Sequence, residues 1–159
     1  MGRVVAVCRS EKKGEPKRPI PQGKLIMDWG LEGDAHAGGG NRQLSLLAWE
    51  SIAKMRERGF ELGAGDFAEN ITTQGIDLAS LPIGTRLLVG PEVVLEITQI
   101  GKECHGHRCA VYRRAGDCVM PREGVFARII CGGQVAQGDE VRVLGTGVEK
   151  ENGSTDGPQ

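Results

Sequence analysis

The sequence predicts a mainly β fold: a closed or partly closed β-barrel with a few short helices. Three observations point there. Twenty-five glycines stand against three Phe, two Trp and one Tyr in 159 residues, which implies many tight turns around an aliphatic core. From Asn70 onward, short β-branched and aliphatic runs alternate with glycine and proline turn signals. Pro82-Ile-Gly-Thr-Arg-Leu-Leu-Val89 is loosely echoed by Ala136-Gln-Gly-Asp-Glu-Val-Arg-Val143; in each a glycine turn launches an alternating strand, and two such units suggest strands closing on one another.

The elements follow in order. Arg3 to Val7 is β-branched enough for a first strand, with Cys8 at its end as an inert thiol. Arg9 to Lys24 holds three prolines and a basic excess (Arg9, Lys12, Lys13, Lys17, Arg18 and Lys24 against Glu11 and Glu15), and reads as a solvated loop. Gly30 to Gly40 is too glycine-rich for regular structure, and such a loop can bring its backbone against a ligand. Arg42 to Leu46 reads as a short strand and Trp49 to Arg58 as a helix. Ala48, Ile52 and Met55 recur at helical spacing, Glu50 and Lys54 are placed for an i,i+4 pair, and Gly59 is the stop. Strands are expected at Ile71–Thr73, Thr85–Val89 and Val93–Ile100, the last two as a hairpin. Cys118 and Cys131 read as packing thiols. Residues 1–145 are expected to form a single domain, and the small, polar, glycine-rich residues 146–159 a disordered tail.

Twenty basic and twenty-one acidic residues nearly cancel, so the overall field favours neither nucleic acid nor a membrane surface as partner. No apolar run reaches bilayer length, and the first residues turn polar too quickly for a signal peptide, so a cytoplasmic location is expected. Five cysteines, an odd number, read as thiols in a reducing compartment rather than as a disulfide framework.

The chemistry concentrates in Ile100-Gly-Lys-Glu-Cys-His-Gly-His-Arg-Cys109, with two cysteines and two histidines inside six residues. Cys104 sits at the exit of a strand, where a rigid element can present it on a loop, and Lys102, His105 and Arg108 favour its thiolate, the nucleophilic form. Cys109 is placed either to resolve a disulfide or persulfide on Cys104 or to pack beneath the loop. Zinc held by Cys104, His105, His107 and Cys109 is disfavoured, because structural zinc sites use two ligand pairs well separated along the chain. His36, with Asp34 or Glu32 behind it, is either a base for Cys104 in a cysteine-hydrolase arrangement or a loop histidine satisfied by its neighbours. Arg42 and Asn70 border loops, and Lys102, Arg108, Arg113, Arg114 and Arg122 outnumber Glu103 and Asp117, which suits an anionic ligand.

The segments Gly30-Leu-Glu-Gly-Asp-Ala-His-Ala-Gly38, Arg42-Gln-Leu-Ser-Leu-Leu47, Glu69-Asn-Ile-Thr-Thr73, Ile83-Gly-Thr85, Ile100-Gly-Lys-Glu-Cys-His105 and Met120-Pro-Arg-Glu-Gly-Val-Phe-Ala-Arg128 together resemble the MOSC domains, named for the C-terminal domain of molybdenum cofactor sulfurases. The order is the family's, over about residues 2 to 144, and the chain is most similar to the small stand-alone bacterial members. The resemblance implies a strand-rich barrel and one signature cysteine, here Cys104, that carries sulfur or ligates molybdenum. It implies molybdenum cofactor (molybdopterin) as ligand or acceptor. Asp34, His36, Arg42, Asn70, Lys102, Arg108 and Arg122 would line its site. Some relatives join this domain to a pyridoxal-phosphate cysteine desulfurase. No pyridoxal phosphate site is expected in this chain, so a partner desulfurase would donate the sulfur, and cofactor-biosynthesis proteins or molybdoenzymes would receive it. Larger members often carry proline before the cysteine, where this chain has Glu103.

The function expected is a sulfur carrier, with Cys104, His105 and Cys109 as the chemical residues. The alternatives are a non-catalytic molybdopterin- or metal-binding module, in which Cys104 is only a ligand, and a cysteine hydrolase.

Overall fold

The computed structural model describes residues 2–12, 17–35, 37–40, 42–57, 59, 63–65, 67, 69–101 and 123–146. Among the described residues, eleven strands and one helix follow one another: β1 (Gly2–Arg9), β2 (Arg18–Ile20), β3 (Gln22–Ile26), β4 (Gly30–Leu31), β5 (Leu44–Ala48), α1 (Trp49–Glu57), β6 (Ile71–Gln74), β7 (Thr85–Val89), β8 (Val93–Ile100), β9 (Val125–Cys131), β10 (Gly133–Ala136) and β11 (Glu140–Thr146), with one 3-10 turn at Leu78–Ser80.

Seven strands close a barrel in the order β1, β11, β7, β8, β9, β5, β6 and back to β1. Period-2 alternation is clearest in β7 and β8: Leu87, Val89, Val93, Leu95 and Ile97 point into the core and their neighbours stay partly exposed. These two pair Val89 with Val93 around Gly90, which adopts φ +66° in the turn. The echoed segments lie side by side, Val141 opposite Val89. Ladder irregularities between β1 and β6, β8 and β9, and β7 and β11 supply local bends of the kind that closure needs. All barrel pairs are antiparallel except β5–β6. A parallel pair requires a crossover, and α1 lies in it, packed on both strands with Ile52 and Met55 buried.

Several expectations are corrected. The basic stretch 9–24 is not all loop: β2 pairs with β1, and β3 joins β10 and β4 in a separate three-stranded sheet. The glycine segment from Gly30 opens as β4 against β3. The strand expected at Arg42–Leu46 lies two residues later, because Gln43 turns inward to hold the preceding loop. β9 and β10 were not anticipated. Glu50 and Lys54 do not pair: Glu50 Oε2 accepts from Gly75 N at 2.9 Å, and Lys54 reaches Glu123. Cys131 is exposed rather than packed, whereas Cys8 is buried as expected. β11 runs through Thr146, the first residue assigned to the tail; residues 147–159 and Cys118 lie outside the described residues. No helix among the described residues is long and apolar enough to cross a membrane.

Candidate functional site

The cysteine-bearing stretch leaves β8 and returns at β9, and its two stems are tied together. Gly101 donates its N–H to the Gly124 carbonyl at 2.6 Å, with Gly101 at φ +76°. The Gln99 amide donates to the Gly101 carbonyl at 2.8 Å and accepts from Arg42 Nε at 3.1 Å. The Arg42 guanidinium lies over the Phe126 ring, 5.3 Å from its centroid. On the return stem, Glu123 accepts from Ser51 Oγ at 2.5 Å and Lys54 Nζ at 2.6 Å, which anchors it to the first turns of α1. Lys102, Cys104, His105, His107, Arg108, Cys109 and Arg122 lie between these stems, outside the described residues, as does His36.

Asp34 and Asn70 are brought together at the rim where β1 ends and β5 and β6 begin. The Asp34 carboxylate is buried against Lys17, whose ammonium donates to Oδ1 at 2.8 Å, while Ser10 N–H donates to the same oxygen at 3.0 Å. Burial pushes this carboxyl up, but hydrogen bonds from Lys17 and Ser10, the Lys17 charge and the Asn70 side chain outweigh it and hold it below the ordinary value. Asn70 Oδ1 accepts from Ser45 N at 3.0 Å and Ser45 Oγ at 3.2 Å, and its Nδ2 donates to the Cys8 carbonyl at 3.2 Å. These two residues therefore brace the rim. Arg42 stands apart from them, on the outer face with Gln99 and Phe126.

A second buried carboxylate sits in the same framework. Glu69 is fully buried and its Oε2 accepts from Gly65 N at 2.9 Å and Thr72 Oγ1 at 2.6 Å, while Oε1 has no partner among the described residues. Burial raises its pKa to about 7, against the opposing hydrogen bonds. Gly65 also accepts from Lys17 N at 2.7 Å, so one glycine joins both buried charges. It adopts φ +86°, and a Cβ there would collide with the Lys17 carbonyl oxygen. Gly65→Ala is expected to cost at least ~2 kcal/mol, from left-handed backbone strain plus the collision, read as a lower urea midpoint at unchanged slope. Stability within ~0.5 kcal/mol of wild type would show that the Lys17 loop is free to move aside.

Sequence reasoning missed Lys17, Glu69, Gln99 and Glu123. The basic run around Lys17 reads as solvated, whereas the Lys17 side chain is fully buried. A groove of about 470 Å³ between α1 and the turn after β6 is lined by Ala48, Ile76, Lys54 and the carboxylates of Glu50, Asp77 and Glu123. It lies beyond the end of β6, opposite the Asp34–Asn70 rim. Among the described residues no three His, Cys, Asp or Glu side chains converge as a metal site.

Residues 33–142 match the family model of the MOSC domain. The fold is shared with the YuaD protein of Bacillus subtilis at TM-score 0.71 and 17% identity, over 90% of this chain and 96% of that one. It is shared with YiiM of Geobacillus stearothermophilus at TM-score 0.71 and 17% identity, over 91% and 75%. YiiM of Escherichia coli gives TM-score 0.63 and 18% identity, over 89% and 69%. No curated protein matches the chain significantly in sequence.

Proposed function

This chain belongs to the MOSC domain family, and we propose that it is a sulfur-carrying, molybdenum-cofactor-binding member of it. The Cys104 thiolate, favoured by Lys102, His105 and Arg108, attacks the terminal sulfur of a persulfide on a partner cysteine desulfurase. The donor's thiol leaves and Cys104 holds the persulfide. Cys109 then attacks the inner sulfur of that persulfide, a Cys104–Cys109 disulfide forms, and the outer sulfur leaves as hydrosulfide for a molybdenum or related metal–sulfur centre; a small-molecule thiol reduces the disulfide afterwards. Pyridoxal phosphate chemistry belongs to the donor.

The observation that carries this reading is the pinned stem. The Gly101–Gly124 bond, Gln99 on one side and Glu123 on the other give the segment holding Cys104 a fixed base on the barrel. An anionic cofactor is compatible with the described residues through Arg42, whose guanidinium faces outward beside that base. When bound, the cofactor would supply the metal centre that accepts sulfur, and Arg42 with Arg122, Lys102 and His36 would hold it. Asp34 and Asn70 brace the rim at the start of β6, at the other end of the barrel from Glu123.

The test is direct loading. After incubation with a cysteine desulfurase and cysteine, wild type should gain one sulfur atom by intact mass, lost on reduction, and Cys104→Ser should gain none. Cys109→Ser should still load and keep its persulfide longer, since the internal attacker is gone. If Cys104→Ser loads like wild type, or wild type never loads yet binds molybdopterin tightly, the carrier role fails and a cofactor-binding module replaces it.

A further inference from the structure

We propose that Arg42 is a preorganised fork for a phosphate group, and that its occupancy is transmitted through Gln99 to the stem of the cysteine segment. Three constraints fix the guanidinium. Its Cζ lies over the largely buried Phe126 ring, and its Nε–H is committed to Gln99 Oε1. Its backbone is set by the neighbouring Gln43, fully buried, whose amide donates to the Gly40 carbonyl and Asp28 Oδ1 and accepts from Ile129 N. Arg42 is exposed as a residue, and both Nη groups remain without a further partner among the described residues.

A guanidinium restrained by the ring beneath it and by its Nε presents the two Nη groups within a narrow range of orientations. Little side-chain entropy is then left to lose when two oxygens of one anion bind. Arg128, two residues from Phe126 on the same outward face of β9, adds positive charge; Asp28, 3.8 Å from its Nε, offsets part of it. The pair favours a doubly charged phosphate over a singly charged carboxylate. The transmission path is short: Arg42 Nε to Gln99 Oε1, and Gln99 Nε2 to the carbonyl of Gly101, the residue before Lys102.

The binding half stands on Arg42 alone; only the meaning of the coupling rests on Cys104 being the carrier. The experiment is a titration of the whole protein with inorganic phosphate, followed by the Arg42 Nε–H and the Gly101 and Gly124 amide resonances, with chloride and acetate at matched ionic strength as comparison. Phosphate should give a saturable shift at Arg42 that chloride does not, with acetate at least fivefold weaker. Arg42→Lys, which keeps the charge but loses the fork, should weaken binding at least tenfold, read from the phosphorus resonance of the phosphate itself. Gln99→Leu should retain a phosphate response at Arg42 while the Gly101 and Gly124 shifts vanish. No saturable response in wild type, equal binding by Arg42→Lys, or acetate as strong as phosphate overturns the site. Unchanged stem shifts in Gln99→Leu overturn the coupling. Persulfide loading is scored separately. A protein that loads sulfur but ignores phosphate refutes this inference alone, and one that binds phosphate but never loads refutes the carrier role alone.

Discussion

Lys17→Met is expected to cost about 3–5 kcal/mol of stability, because it removes the ammonium and leaves the Asp34 carboxylate buried without its counter-charge. Both side chains are essentially fully buried and the bond between them is 2.8 Å, so solvent screens this pair little. The check is urea unfolding at neutral pH, comparing midpoints at constant slope. The double variant Lys17→Met/Asp34→Leu should recover much of the loss, since replacing both members by apolar groups removes the stranded charge. A loss below ~1 kcal/mol in the single variant would mean that water reaches Asp34 and that the pair does not tie Lys17 to the turn after β4.

Glu69→Gln should remove most of the pH dependence of stability between about pH 5 and pH 8. The Glu69 pKa is raised from 4.5 to about 7 by burial, so the folded protein binds a proton across this interval that the unfolded chain has released. Stability is then fully present below the unfolded value and is lost as pH rises through about 7. At roughly 1.4 kcal/mol per pKa unit, the loss is of the order of 3 kcal/mol. Asp34 acts with the opposite sign. Its pKa is lowered, so its contribution is present above the ordinary carboxylate value and disappears as pH falls through the folded one. Wild type should therefore be most stable at mildly acidic pH. Urea midpoints measured at about pH 5 and pH 8 decide it: a wild-type profile as flat as that of Glu69→Gln would show that the carboxyl ionises freely in the fold.

The parts of the fold legible in the sequence are those with a local signal. The β7–β8 hairpin was readable because period-2 alternation and a Gly-Pro turn sit within one short stretch, and α1 because Ile52 and Met55 share a helical face. β9 was not, because Val125, Phe126 and Ala127 are buried in succession, on both faces of the strand, so no alternation marks it. β2 and β3 are short and studded with lysine, arginine and proline, and form through partners in β1 and β10. Within the site, Arg42 and Asn70 could be named from residue type and loop position. Lys17 and Glu69 could not, since a charged residue in a polar stretch carries no mark of burial until the chain brings its partner across. Gln99 belongs with them, because its importance lies wholly in what it touches.

Barrel closure has a consequence for the order of events during synthesis. β1, the first strand, pairs directly with β11, the last, Gly2 opposite Val141, so the ring cannot shut until every strand between them has left the ribosome. Until then β1 and β7 present open strand edges, where a nascent chain can pair wrongly with another. The contacts that complete the ring are among the most distant in sequence, which places this fold with the slow, non-locally wired β proteins. The small sheet of β3, β4 and β10 is subject to the same delay, because β10 also arrives late.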